Sequence, residues 1–188
     1  KFHARGQQLP VAIVLGGDPV GLYTAHAPLP KMTDPYAFGG FLRNNALELV
    51  RARSIEIDVP AQAEIVMEGF IDPASDPVDV GPVANTTGYY SPAEKVMPLN
   101  LSAVTHRANP IWHALIPAAP PAEAGFFAQA TERIFLPLLK LMVPELVDIH
   151  FPEAGAGRYL MFVSIHKSYP QQARRVVNAL WSLESLLS

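Results

Sequence analysis

Imidazoles and carboxylates are the groups in this sequence with acid–base or metal-binding chemistry, and their spacing does not build a site by itself. The six histidines are scattered along the chain. His106 and His113 are spaced so that they can share one face, but no further ligand at metal-binding spacing accompanies them. Each histidine therefore reads first as a surface or hydrogen-bonded core residue. The absence of cysteine removes disulfides, thiolate metal sites and cysteine nucleophiles. No Gly-x-Gly-x-x-Gly follows a strand and no Gly-x-x-x-x-Gly-Lys occurs, so no nucleotide phosphate cradle is legible. His-Glu-x-x-His and Gly-x-Ser-x-Gly are missing as well.

The elements that would position a site are easier to read. Leu9 to Gly17 is a continuous apolar run rich in β-branched residues, which predicts a strand covered on both faces and ended by a glycine turn. Gly21 to Ala27 reads as a short helical turn, and Tyr36 to Arg43 as a helix. Strands are expected at 48–53, 55–59 and 63–71, and shorter ones at 89–90 and 99–106. Residues 72–82 are rich in Pro and Asp and read as a long loop. Closely spaced short strands with turns between them predict a barrel or a sandwich.

After Arg107 the composition shifts. Residues 117–121 form an Ala/Pro connector, and 123–143 is the clearest helix, with Pro137 expected to break it. Leu146–Phe151 and Tyr159–His166 read as hairpin partners joined through Gly155-Ala156-Gly157. Pro170 to Leu187 is an amphipathic helix with Pro170 in its first turn. Helix, two strands and helix make a small α+β module.

Composition narrows the classes. Apolar residues at 49% and charged residues at 16% belong to a folded chain with a real core. A net charge of −3 offers no field for gripping a phosphate backbone, which argues against a nucleic-acid partner. No apolar run reaches the roughly 18 residues of a membrane span. A cysteine-free chain without a visible signal peptide is expected in the cytoplasm. The sequence starts at Lys1, so the natural start is expected upstream or removed.

One series of stretches carries more information than any generic motif. It runs Leu9-Pro-Val-Ala-Ile-Val-Leu-Gly-Gly-Asp-Pro19, Ala27-Pro-Leu-Pro30, Tyr36-Ala-Phe-Gly-Gly-Phe-Leu-Arg43, Leu47-Glu-Leu-Val50 and Val59-Pro-Ala-Gln-Ala-Glu-Ile-Val-Met-Glu-Gly69. It continues with Gly81-Pro82, Thr87-Gly-Tyr-Tyr90, Val104-Thr-His-Arg107 and Pro110-Ile-Trp-His113. In order and spacing this series resembles the UbiD family, decarboxylases of unsaturated or aromatic acids that use prenylated FMN. The resemblance implies an α+β chain with two parts. Residues 1–110 would be a portion of a flavin-binding split β-barrel domain. Residues 111–188 would be a linker and the first part of a small α+β oligomerisation module. It also implies that a complete family chain runs beyond both ends of this one.

The resemblance assigns roles to a few positions. The turn Ala25-His26-Ala27-Pro28 matches the family loop against the isoalloxazine, so His26, Ala27 and Pro28 are the expected cofactor contacts. Pro35 stands where the family carries a metal-binding glutamate, which leaves no metal ligand there. Asp34 is the nearest oxygen donor, and the family's Mn2+ and K+ are put in question. The family's catalytic loop reads Glu-Gly-Pro-x-Gly-Asp or -Glu, whereas this chain reads Val80-Gly81-Pro82-Val83-Ala84-Asn85. Both acid–base carboxylates are replaced. Asn85 is left as the candidate catalytic residue, able to position a carboxylate or a water but not to donate a proton as an acid. Glu64 and Glu68 match ordinary family positions and are expected to be structural, buried and hydrogen-bonded or paired with Arg. His106-Arg107 and Trp112-His113 are expected to serve packing or subunit contact.

The implied function is a reversible, non-oxidative carboxy-lyase acting on an aromatic, heteroaromatic or α,β-unsaturated carboxylic acid. Its proton would come from water, the substrate or a residue outside the chain. The alternative is a non-catalytic subunit of a multi-subunit UbiD-like enzyme. A split-barrel flavin reductase is a weaker third reading, since no nicotinamide motif is present. The apolar stretches 126–143 and 173–187 point to a homo-oligomer or a UbiD-like partner subunit.

Overall fold

A computed structural model describes residues 2–157 and 159–183 of the chain. Lys1 and the expected final turn of the last helix, Glu184 to Leu187, lie outside the described residues. The elements run β1 (Leu9–Leu15), α1 (Pro19–Thr24), α2 (Pro35–Arg43), β2 (Leu49–Arg51), β3 (Asp58–Pro60), β4 (Ile65–Ile71), β5 (Val78–Val80) and β6 (Val83–Ala84). They continue β7 (Tyr90–Ser91), β8 (Glu94–Val96), β9 (Leu99–His106), α3 (Ala124–Met142), β10 (Leu146–His150), β11 (Phe162–Ile165) and α4 (Gln172–Trp181). Two compact units result: residues 1–26, 32–83 and 92–114 in the first, residues 27–31, 84–91 and 115–188 in the second.

In the first unit β4 lies between β1 and β9, antiparallel to both. Register sets Ala12 opposite Glu68 and Glu68 opposite Ala103, with Val14, Val66 and Thr105 in the next row on the same face. That face packs with Ala52, Ile55 and Val59 to form the unit's core. Burying each Val or Ile side chain there is worth roughly 1.5–3 kcal/mol. The row Ile13–Met67–Val104 points the other way, and Val104 is 52% exposed. The Ile13 face of the apolar run is less covered, with Ile13 38% exposed while Val11, Leu15 and Met67 beside it are half-buried. A bulge falls between Glu68 and Gly69, where a Cβ would run into the Asn100 carbonyl oxygen, so only glycine fits.

Both helices of this unit begin at an Asp-Pro pair. Asp18 Oδ1 accepts from Val20 N at 2.8 Å, and Asp34 Oδ1 accepts from Tyr36 N at 2.8 Å. Each aspartate is the N-cap and each proline the first helical residue, where its missing N–H costs nothing. The helices accordingly start earlier than the apolar pattern alone indicates. Arg43 ties their two ends with an ion pair to Asp18 at 3.1 Å.

The expected loop at 72–82 contains a strand. Val78-Asp79-Val80 pairs with Val96-Lys95-Glu94, a partner too far along the chain for local composition to reveal. The strands at 48–53 and 55–59 shorten to β2 and β3, which pair with each other. The paired strands form one three-stranded sheet and four two-stranded ribbons, and no set of them closes into a barrel among the described residues.

The second unit packs α3 and α4 with the antiparallel pair β10–β11. Its core joins Ala128, Leu139, Val143, Leu146, Ile149, Phe151, Val176 and Leu180. Pro137 sits inside α3 without ending it, contrary to expectation. Phe135 and Leu139 are buried on either side while Pro137 is exposed, so core packing holds the helix through the lost hydrogen bond. The expected turn at 155–157 holds Ala156 and Gly157 at positive φ. Pro170 precedes α4 and lies outside its first turn, because Gln171 takes the N-cap place. Among the described residues no helix is long and apolar enough to cross a membrane.

Candidate functional site

The turn at 25–28 follows the end of α1. His26 is exposed; its N–H donates to the Tyr23 carbonyl at 3.0 Å, and its Nδ1 lies 3.4 Å from the Leu22 carbonyl oxygen. Ala27 and Pro28 are half-buried, and Leu29 N donates to the Ala27 carbonyl at 2.7 Å across Pro28. Such a three-residue turn is rigid because proline fixes its central φ. The division between the two units falls inside this segment. His26 ends one stretch of the first unit, whereas Ala27 and Pro28 belong with Asn85 to the second.

Asn85 opens the tight turn between β6 and β7. Its Oδ1 accepts from Thr87 N at 2.9 Å and from the Thr87 hydroxyl, and its Nδ2 donates to Ser91 Oγ at 3.1 Å. Asn85 N donates to Tyr89 O at 3.0 Å, and Gly88 N donates to Asn85 O at 3.1 Å. This is an Asx turn, in which the side chain imitates a backbone group. Gly88 at φ +84° completes it, and a Cβ there would meet Ala119 Cβ at 2.7 Å. Both lone-pair directions of the amide oxygen are thus committed, while Nδ2 keeps a second hydrogen to offer a ligand.

Val80 lies on β5 and carries no polar atom in its side chain. Directly across the ribbon stands Glu94 of β8. Directly opposed residues of an antiparallel pair project to the same face, so a carboxylate stands beside the valine. Sequence reasoning missed this residue because cross-strand register has no local signature.

The position before the Tyr36 motif holds no ligand. Pro35 begins α2, and the Asp34 carboxylate serves as that helix's cap. No group of three or more His, Asp or Glu residues is gathered as a metal site among the described residues. Asp34, Tyr36, Phe41, Asn44, Asn45 and Leu47 help line a cleft of about 460 Å³ that the sequence did not signal. Burial, and then the Asp34 charge, raise the Tyr36 phenol above its ordinary pKa.

The two glutamates of the β4 region are structural, as their positions implied. Glu68 is 1% exposed and accepts from Arg53 N at 2.9 Å, from Ser54 N at 2.6 Å and from Ser54 Oγ at 2.8 Å. Burial works against its charge, but these hydrogen bonds and the Arg53 charge together hold its carboxyl below the usual range. Glu64 accepts from Ile111 N at 3.1 Å and lies 3.7 Å from Arg107 Nε. Arg107 also donates to Gln62 Oε1 at 2.6 Å. Trp112 is 66% exposed and His113 is exposed too, so neither packs within its own unit.

Residues 1–120 match the UbiD domain described as the 3-octaprenyl-4-hydroxybenzoate carboxy-lyase Rift-related domain, and residues 125–188 match the corresponding C-terminal domain. The chain belongs to the UbiD family. It is 43% identical over 176 residues to an uncharacterized protein of Archaeoglobus fulgidus, covering 94% of this chain and 36% of that protein. An evolved dimeric form of the UbiD-class enzyme HmfF from Pelotomaculum thermopropionicum, in complex with prFMN, is similar at TM-score 0.87 and 30% identity. That match covers 100% of this chain and 43% of HmfF. The closed form of vanillic acid decarboxylase from Sedimentibacter hydroxybenzoicus is similar at TM-score 0.84 and 28% identity, over 96% of this chain and 38% of that one. The chain thus spans well under half the length of the relatives it matches.

Proposed function

We propose that this chain is part of a reversible, non-oxidative decarboxylase that uses prenylated FMN and acts on an aromatic, heteroaromatic or α,β-unsaturated acid. The observation that carries the reading is the likeness over the whole chain to HmfF, a structure in complex with prFMN. In this reading residues 1–110 belong to a split β-barrel domain for cofactor and substrate. Residues 111–188 supply a linker and the first part of an oligomerising α+β domain. The cysteine-free composition supports a cytoplasmic setting.

The residues present fit one edge of a flavin. Ala27 is small and Pro28 is rigid, so their turn offers a flat backbone edge to a planar ring system, with the exposed His26 imidazole at its rim. When bound, prenylated FMN supplies the electron sink for loss of CO2. His26, Ala27 and Pro28 would hold and orient the ring. Asn85, pinned by Thr87 and Ser91, offers its remaining amide hydrogen to the substrate carboxylate or a water. The residues do not fit the family's cations, because Pro35 cannot ligate and Asp34 is occupied as a cap. No step is assigned to Mn2+ or K+.

A second reading, a non-catalytic subunit of a multi-subunit UbiD-like enzyme, is favoured by one observation. The Asn85 side chain is engaged in its own turn, and in the family resemblance Val80, Asn85 and Pro35 stand where acidic residues are expected. Co-expression of the natural-length protein with the prenyltransferase that makes the cofactor separates the two. The absorbance and mass of bound prenylated FMN are expected. A colourless protein, alongside a control enzyme that does load the cofactor, would put the subunit reading ahead.

A further inference from the structure

The cleft of about 460 Å³ beside α2 has no part in the reaction proposed above. We propose that it is a binding site for a small aromatic amine in its protonated form, a ligand class set by the charge and the rings of its walls. The cleft is built from residues between Asp34 and Leu49, so it lies within the first unit and does not depend on the decarboxylase reading. Its volume falls in the range of about 300–1,000 Å³ found for small-molecule sites.

The walls follow from the way α2 ends. Asn44, at φ +52°, stops the helix in the left-handed conformation, and Asn45 N donates back to the Gly40 carbonyl at 3.1 Å. The chain then returns along the helix, where Leu47 Cδ1 lies 2.5 Å from the place a Cβ on Gly39 would take. Helix α2 thus forms one side of the cleft from its N-cap, Asp34, to its C-cap, Asn44. Tyr36, Phe41 and Leu47 line it between those ends.

Charge selects the ligand. Among the described residues that line the cleft none is Lys, Arg or His, and Asp34 is the one acidic side chain. A carboxylate or phosphate would enter without a partner for its charge, whereas an ammonium group meets its counter-charge. The Asp34 charge does act on the cleft: after burial, the larger cause, it raises the Tyr36 phenol above its ordinary pKa. That is the response of a group in a negative field, and the same field favours a cation. The capping bonds that Asp34 Oδ1 accepts from Tyr36 N and Ala37 N leave this charge in place. An ammonium group needs no shell of inner ligands, unlike a metal ion, for which the described residues gather no site.

The rings select the rest of the ligand. Phe41 is 77% exposed, yet its ring stacks on Phe38 with centroids 6.2 Å apart and an interplanar angle of 24°. A ring held in place and left open to a concave wall offers a face to a flat ligand. The face of an aromatic ring also attracts a cation placed over it.

The test uses the natural-length protein with benzylammonium, benzyl alcohol and benzoate, one ring carrying three different charges. Saturation-transfer NMR reads binding and competition, and calorimetry reads affinity at pH 7. Benzylammonium is expected to bind saturably and more tightly than benzyl alcohol, and benzoate should not displace it. Asp34→Asn keeps an N-cap of equal quality, so the helix should hold. It should weaken benzylammonium by about 3- to 5-fold and leave benzyl alcohol unchanged. Phe41→Ala, at an exposed position, should weaken benzylammonium by about 2- to 5-fold. Melting temperatures of both variants are measured alongside; if Asp34→Asn unfolds, the order of the three probes on the parent and the Phe41→Ala result decide. Benzoate binding as tightly as benzylammonium overturns the assignment. So does an ammonium affinity unchanged by either substitution, or a parent that shows no saturable binding of benzylammonium.

Discussion

The Asn85 side-chain oxygen accepts the Thr87 backbone N–H at 2.9 Å, so the residue proposed to position the substrate is also the residue that folds its own hairpin. Its two roles separate by substitution. Asp at this position keeps the acceptor for Thr87 but loses the donor to Ser91, whereas Ala removes both.

Asn85→Ala is therefore expected to cost about 1 kcal/mol of stability, the usual net value of such hydrogen bonds. Asn85→Asp should stay within about half of that. Urea denaturation of the three proteins checks the order. An alanine variant as stable as the parent would mean that Gly88 and the backbone hydrogen bonds form the turn unaided.

Glu68→Gln tests the buried carboxylate under β4. Two backbone N–H groups and one hydroxyl converge on its oxygens, and the amide can satisfy only part of that set. A loss of about 2 kcal/mol at pH 7 is expected. The folded pKa lies below the unfolded value of about 4.3, so Glu68 contributes stability above that pH. That contribution disappears as pH falls through the folded pKa. The gap in urea midpoint between parent and Glu68→Gln should thus narrow from pH 7 to about pH 3.5. A constant gap would refute the titration.

Pro137→Ala should raise the melting temperature. Pro137 is exposed, and alanine restores the N–H that a helix donates to the carbonyl four residues back, here Arg133. The gain is expected at about 1–3 kcal/mol. A lower melting temperature would show that the proline shapes α3 for the packing of Phe135 and Leu139.

Local order was the legible part of this fold. β1, β4, β9, α3 and the β10–β11 pair all follow from short-range periodicity, because an apolar face declares itself within a few residues. The family series of motifs was legible for the same reason, being a matter of residue order. Helix starts were readable in principle too: Asp18-Pro19 and Asp34-Pro35 are cap-and-first-residue pairs, and the apolar pattern distracted from them.

Long-range pairing decided the rest. Composition marks 72–82 as loop, yet Val78-Asp79-Val80 is a strand because residues 94–96 lie alongside it. Asp34 looked like a spare oxygen ligand until the helix it caps was in place. The sequence by itself determined the family and the core stretches. Only the tertiary structure decided that Glu94 faces Val80 and that Asn85 is bound into its own turn. Cross-strand register joins residues with no fixed spacing in the chain, so no local pattern can encode it.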